Sequence, residues 1–181
     1  MKAANNKIIV RVKNDQKDLM QIGDVLVQMA LSYEKNYRER SPVIAEVVSG
    51  NEFVKSGDIL LCHHNLFYLP SPFHLYDDLF SISWNSTIFA KIGSRGTLIP
   101  ISGNMFCDRI DIETEFPLPP ELCEKYTDKV VVIDGGETGY KNGDILFTRP
   151  YSYYEIVYTI NGVQKRVHKC HKDMVCGILS D

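Results

Sequence analysis

The chain has 181 residues, enough for one ordinary domain or two small ones. Its 20 Lys and Arg nearly balance its 23 Asp and Glu, so it lacks the positive excess that non-specific nucleic-acid binding needs. No apolar run approaches the ~20 residues that span a bilayer, and residues 1–7 lack the apolar core of a signal peptide. These features favour a globular, cytoplasmic protein with no membrane segment and no nucleic-acid partner.

Short apolar runs bounded by turn residues dominate the sequence and predict β-strands. They are Lys7–Lys13, Val43–Val48, Ile59–Leu61, Val130–Ile133 and Ile145–Phe147. Helical periodicity is weak, and its one candidate is Gly23–Arg40, which Pro42 ends. The run Phe116–Pro120 contains three prolines and predicts an extended loop.

The strongest local signal is a β-hairpin over residues 154–168. Two β-rich runs flank Asn161-Gly162, a pair typical of two-residue hairpin turns because both positions need positive φ. Many short strands with frequent turn signals predict an all-β protein, a sandwich or a barrel.

The cysteines are odd in number and show no disulfide-framework spacing. They are Cys62, Cys107, Cys123, Cys170 and Cys176. Together with the absence of an export signal, this predicts reduced thiols, most of them buried as small apolar side chains.

An internal repeat runs through the chain. Val54–Leu61 matches Tyr140–Phe147, and an apolar strand followed by a glycine precedes each copy. In both copies a Lys-x-Gly-Asp-Ile-Leu phrase predicts a turn that feeds a strand. Glycine supplies the positive φ, and aspartate bonds neighbouring amides. The predicted structural turn residues are Gly57, Asp58, Gly143 and Asp144.

The repeat predicts two units, at residues 1–93 and 98–181. The first unit contains a candidate mobile loop at 14–41 and an aromatic insert at 66–84, and the second contains the 154–168 hairpin. The insert is too apolar to lie bare in water. It either contacts another domain or subunit, or packs on its own barrel.

These motifs, in this order and spacing, are similar to those of the GroES (small chaperonin) family, twice over. The matching segments are Val54–Asp58, Tyr140–Asp144, Asp173–Leu179 and the stretch Ile22–Val27, which is similar to the core of the family's mobile loop. The resemblance implies two tandem GroES-like, partly open β-barrels. The doubled length resembles the tandem co-chaperonin of chloroplasts.

The resemblance also implies a function. Such a protein is non-enzymatic, needs no cofactor, forms a homo-oligomeric ring and caps a large chaperonin, which itself binds the ATP. The partner-binding residues would be Ile22, Gly23, Val25, Leu26 and Val27 in the first unit's loop. Phe116–Pro120 stands where the second loop would lie, which predicts that the second unit docks poorly.

Three alternatives stay open. Val25, Leu26 and Val27 could instead pack inside their own subunit as an ordinary strand or helix face. The same barrel could serve as a non-enzymatic structural component of a large assembly such as a phage virion. Cys62–His64 and His168–His171 contain zinc-type ligands, so a metal enzyme is a third option, but their spacing is not that of a zinc site and we predict no metal.

Overall fold

The computed structural model describes residues 3, 5–12, 19–22, 25–28, 42–67, 72–93, 96–110, 129–149, 152–160 and 163–179. Within these ranges the chain forms fifteen β-strands and two short 3-10 helices, at His64–Leu66 and Lys172–Met174. All strand pairings among the described residues are antiparallel, and the strands form two sheets. The predicted all-β class is therefore confirmed.

The first sheet has seven strands, and its order is β6-β7-β1-β4-β5-β8-β9. Numbered in chain order, its strands are β1 (Lys7–Arg11), β4 (Val43–Ser49), β5 (Ile59–Cys62), β6 (His74–Tyr76), β7 (Leu79–Ser83), β8 (Ile88–Ile92) and β9 (Leu98–Pro100).

The second sheet has eight strands, and its order is β2-β3-β13-β14-β10-β11-β12-β15. Its strands are β2 (Leu19–Ile22), β3 (Val25–Gln28), β10 (Asn104–Arg109), β11 (Lys129–Asp134), β12 (Ile145–Thr148), β13 (Tyr153–Ile160), β14 (Val163–His171) and β15 (Val175–Leu179).

Six strands of each sheet follow the same path. We call β1 and β4–β8 the first repeat, and β10–β15 the second repeat. Taken in chain order, the six strands of each repeat occupy the same positions across their sheet. The β-bulges also coincide: a register shift between Ile9 and Val10 corresponds to one between Phe106 and Cys107.

The remaining three strands cross between the repeats. Leu98–Pro100, which leads into the second repeat, pairs with β8 at the edge of the first sheet. Leu19–Gln28, which follows β1 of the first repeat, supplies β2 and β3 at the edge of the second sheet. Each of the two predicted units, 1–93 and 98–181, therefore contributes strands to the sheet of the other.

The described apolar core has three clusters. One lies within the first repeat around Ile8, Val10 and Leu60, and one lies within the second repeat around Met105 and Leu146. The third joins residues of both sheets, and we call it the seam. Its buried members are Ile44, Leu61, Phe89, Ala90, Ile92, Leu98, Phe106, Ile156 and Val167.

The seam explains why several strands read as unbroken apolar runs. In β4, Val43 and Ala45 face the first core while Ile44 faces the seam. Successive strand residues point to opposite faces, so a strand buried on both faces carries apolar side chains throughout.

The described part of the aromatic insert packs largely on its own repeat. Leu66 and Phe80 belong to the first core, and Phe67 packs against it with its ring 5.1 Å from that of Phe80. Leu75 and Tyr76 on β6 stay exposed. Of the two alternatives for the insert, packing on its own repeat accounts for these buried residues.

The 154–168 hairpin is described as β13 and β14, paired from Tyr153↔Cys170 to Ile160↔Val163. The predicted turn at residues 161–162 lies outside the described residues. The weak helical candidate over Gly23–Arg40 is contradicted where the structure describes it, because Val25–Gln28 is a strand. Pairing with β13 overrides the weak helical pattern, and the β-branched Val25 and Val27 suit a strand.

Candidate protein-interaction site

Four of the five predicted partner-binding residues, Ile22, Val25, Leu26 and Val27, lie on β2 and β3 at the edge of the second sheet. Val25, Leu26 and Val27 pair in register with Ile160, Thr159 and Tyr158 of β13. Ile22 pairs with Val25 across the hairpin. Gly23 and most of segment 14–41 lie outside the described residues. The backbone thus places these residues in a sheet of their own chain, and their role toward a partner stays a prediction.

The two predicted turns have one geometry. Gly57 and Gly143 have φ of +88° and +93°, which is the region that favours glycine. The Asp58 carboxylate accepts a hydrogen bond from the Lys55 amide at 2.9 Å, and Asp144 accepts one from the Lys141 amide at 2.8 Å. These turns connect β4 to β5 in the first repeat and β11 to β12 in the second. They are not part of the β2–β3 hairpin.

One of the two turns also carries an ion pair. Lys91 Nζ on β8 lies 2.8 Å from Asp58 Oδ1. Burial raises the pKa of Asp58, but hydrogen bonds from Lys91 and the Lys55 amide outweigh burial and leave that pKa below its usual value. On β15 the position equivalent to Lys91 is Ile178, because Lys91 pairs with Leu60 and Ile178 with Leu146.

The outer edges of the two repeats differ. In the first repeat, β9 covers β8. In the second, β15 is the last strand of its sheet, and among the described residues no strand pairs with its outer edge. Ile178 and Leu179 on β15 are 54% and 51% exposed, so this edge offers both backbone groups and apolar side chains.

Aromatic side chains and a lysine meet in the seam. The Phe89 ring on β8 lies 4.9 Å from Tyr154 on β13 and 5.8 Å from His63. Lys169 Nζ on β14 lies 4.8 Å from the centroid of the Phe89 ring. Burial lowers the pKa of Lys169 to about 8.

A polar cluster lies at one end of the second repeat. The Arg109 guanidinium lies over the Tyr153 ring at 5.2 Å, and the Tyr153 ring meets His168 edge-on. Arg166 forms a 2.7 Å ion pair with Glu155. Burial lowers the pKa of His168, and the charge of Glu155 partly opposes that shift.

The Cys and His segments meet at the Phe89 ring, through His63 and Lys169, but their described ligand atoms do not form a metal-type cluster. Cys62 lies in the first core and Cys170 in the second, and within the described part of the chain no three His, Cys, Asp or Glu side chains are placed to hold a metal. Burial raises the pKa of the Cys62, Cys107 and Cys170 thiols. These thiols are therefore poor nucleophiles and poor metal ligands.

Two residues of this region were not identified from the sequence. Lys169 was read only as part of a Cys/His run. Asn104 is fully buried, and its amide donates to the Ile88 and Ile101 carbonyls at 2.8 and 2.9 Å, which ties the β9–β10 turn to β8. The available signal was a polar residue at the start of an apolar strand.

No protein-family model, curated protein or solved structure matches the chain. In the part of the chain that the structure describes, none of the helices is long and apolar enough to cross a membrane.

Proposed function

We propose that this protein is a non-enzymatic, ring-forming, GroES-like co-chaperonin that caps a large ATP-dependent chaperonin, with each repeat as a partly open barrel. The observation that supports the proposal is the duplicated strand order, in which, among the described strands, the outer edge of the second repeat is uncovered and that of the first is covered. A cap acting by protein contact needs no catalytic group of its own.

The covered edge indicates how copies would join. The first repeat begins with β1 and the second with β10. Leu98–Pro100 (β9) lies just before β10, and residues 1–3 lie at the same distance before β1. Residues 1–3 are therefore the equivalent of Leu98–Pro100 in the first repeat. The uncovered β15 of one copy would therefore accept residues 1–3 of the next copy, as β8 accepts β9 within the chain.

The turns that lead into the two repeats support this equivalence. Asn5 and Asn6 have positive φ, as do Ser102 and Gly103. The Asn6 carbonyl accepts from the Trp84 amide, and the Gly103 carbonyl accepts from the Lys172 amide. The same turn precedes both repeats, and the Ala3 amide donates to Ser49 Oγ on β4 at 3.0 Å, so residue 3 enters this turn in contact with its own repeat.

Such a contact joins two different surfaces, the start of one copy and the end of another. Head-to-tail contacts of this kind close into rings when the rotation between copies allows it. A ring suits a cap, because three apolar loop side chains contribute roughly 5–9 kcal/mol in total. Ordering a loop of about ten residues costs on the order of 10 kcal/mol, so a single loop binds weakly. Several loops on one ring then bind together through effective concentration.

A disulfide tests the head-to-tail contact. In the Cys176→Ser background, Ala3→Cys/Gly177→Cys should cross-link chains on oxidation, because Pro100 and Ala90, their equivalents, are paired. The control Ala3→Cys/Ile133→Cys places the second thiol at an exposed position on β11. Cross-linking of the test variant above the control supports the contact. Equal cross-linking, or a monomeric wild type by light scattering, contradicts it.

Refolding of a stringent substrate by a large chaperonin and ATP tests the co-chaperonin function. The wild type should support refolding, and Val25→Asp/Leu26→Asp should lose at least tenfold in yield or rate. The control Leu75→Asp/Tyr76→Asp changes an exposed pair on β6 and should retain activity. Equal refolding by wild type and the loop variant, with no cap seen by electron microscopy, excludes the function.

A structural building block of a large assembly, such as a phage virion, is the second candidate. The pairing of β3 with β13 favours it, because a hairpin already bound in a sheet is poorly placed to reach a partner. Its test is the hydrogen exchange of the Val25–Gln28 amides. Protection of these amides in the free protein supports the building block, and rapid exchange in the free protein supports the cap.

A further inference from the structure

The seam covers one face of the first sheet, on strands β5 and β8. Leu61 on β5 and Ala90 and Ile92 on β8 are buried there, and Ile59 packs against them. These side chains point away from the first core, because their strand neighbours Leu60 and Ile88 belong to it. The first repeat therefore buries both sides of β5 and β8.

The second repeat has the same face on β12 and β15. The repeated sequence phrase makes Ile145 and Phe147 the equivalents of Ile59 and Leu61. The strand pairings then give the equivalents on β15: Phe147 pairs with Gly177 as Leu61 pairs with Ala90, and Ile145 pairs with Leu179 as Ile59 pairs with Ile92. We call Ile145, Phe147, Gly177 and Leu179 the outer face.

The outer face is apolar but uncovered by the described core. Leu179 is 51% exposed, whereas its equivalent Ile92 is 6% exposed. Ile145 and Phe147 are half-buried and belong to none of the three described apolar clusters. An apolar sheet face that stays open to water marks a contact site.

One charged side chain borders the outer face. Lys129 Nζ lies 5.2 Å from the centroid of the Phe147 ring. In the seam, Lys169 Nζ lies 4.8 Å from the centroid of the Phe89 ring. A lysine above an aromatic ring is therefore an arrangement that this fold already accommodates between two sheets.

The contacts of the first repeat indicate what covers such a face. The second repeat packs on Leu61 and Ile92 through Phe106, Ile156 and Val167, and its leading strand β9 pairs with the edge of β8. One neighbour thus makes both the edge pairing and the face packing. Because β15 carries both the uncovered edge and part of the outer face, a neighbour that pairs with this edge also reaches the face.

We propose that the outer face packs against the first repeat of a second copy of this chain, in a repetition of the seam. This inference rests on the head-to-tail contact of the proposed function and adds side-chain packing to it. A strand edge alone offers backbone groups that pair with many sequences. Burial of Phe147 and Leu179 makes the contact selective for a matching apolar face.

Phe147→Ser and Leu179→Asp test the outer face in the full-length chain. Phe147 lies one strand in from the edge, so its replacement leaves the backbone groups of β15 in place. The control is Ile133→Asp on β11, because Ile133 is 39% exposed and its equivalent Val48 lies outside the seam. Analytical ultracentrifugation over a concentration series measures the dissociation constant between copies.

Both test variants should raise this constant at least about tenfold, because each removes an apolar side chain from the interface, and the control should change it less than about threefold. Circular dichroism and urea unfolding check that each variant folds. If Phe147→Ser does not fold, Leu179→Asp decides, since its side chain is exposed in the single chain.

The outcomes separate this inference from the proposed function. Test variants that associate as tightly as Ile133→Asp overturn the outer face, even if the Ala3→Cys/Gly177→Cys cross-link forms. A wild type that stays monomeric overturns the outer face and the head-to-tail contact together. A wild type that associates through Phe147 and Leu179 but does not support refolding contradicts the cap and supports the outer face.

Discussion

Asp58 and Asp144 accept the same backbone hydrogen bond in two equivalent turns, yet only Asp58 is paired with a lysine across the neighbouring strand in the described structure. Ile178 takes the place of Lys91 in the second repeat. One turn is therefore a natural control for the other, and the difference between them isolates a single ion pair.

Asp58→Asn should destabilise the protein more than Asp144→Asn, by up to about 1 kcal/mol, since the ion pair is partly exposed. Because the folded state lowers the pKa of Asp58, its contribution is present above pH 3.8 and is lost as the pH falls through the folded pKa. Urea unfolding at pH 7 and pH 3 measures both effects. If both variants lose the same free energy of unfolding at pH 7, the ion pair with Lys91 does not contribute to stability.

The glycines that end β4 and β11 should not tolerate a side chain. A Cβ on Gly50 would lie 1.8 Å from the Val54 carbonyl oxygen, and one on Gly135 would lie 2.0 Å from that of Tyr140. Gly50→Ala and Gly135→Ala should each cost at least about 2 kcal/mol, because backbone must move. Gly93→Ala is the control, with its nearest atom at 3.5 Å, and should stay within about 0.5 kcal/mol. Thermal and urea unfolding measure the stability of the three variants. If Gly50→Ala is as stable as Gly93→Ala, the close approach of Gly50 to the Val54 carbonyl is contradicted.

Asn104→Ala should destabilise the protein by about 1–3 kcal/mol, because it removes the side-chain donor to the Ile88 carbonyl, while the Ile101 carbonyl keeps its hydrogen bond from the backbone N–H of residue 104. Asn142→Ala, at an exposed turn position, is the control and should change stability little. Urea unfolding measures both. A loss for Asn104→Ala no larger than the control would show that the amide does not hold β8 to the β9–β10 turn.

His168 should make the protein sensitive to mild acid. Its pKa is lowered in the folded state by burial, so the unfolded chain binds the proton more tightly and stability falls as the pH drops below about 6.5. His168→Gln should flatten this part of the stability curve. Glu155→Gln should steepen it, because the Glu155 charge holds the His168 pKa up.

Unfolding free energies measured between pH 7.5 and pH 5 give the two slopes. The Glu155 variant also loses its ion pair with Arg166, but that loss shifts the whole curve and leaves the slope as the informative quantity. Slopes that move in the same direction for both variants would contradict the proposed coupling.

The sequence determined what is local or repeated. Alternating and continuous apolar runs specify strands, Lys-x-Gly-Asp phrases specify turns that only glycine and aspartate satisfy well, and two copies of a phrase reveal the duplication. The all-β class and the hairpin of β13 and β14 follow from such short-range patterns.

Only the tertiary structure decided which strands meet across long separations. It placed Leu98–Pro100 on β8 and Val25–Gln28 on β13, and it put Lys169 against Phe89, 80 positions away in the chain. Backbone hydrogen bonds carry no residue identity, so no pattern within a strand names its partner. The environment of a buried lysine likewise depends on the packing of two sheets, which local sequence does not encode.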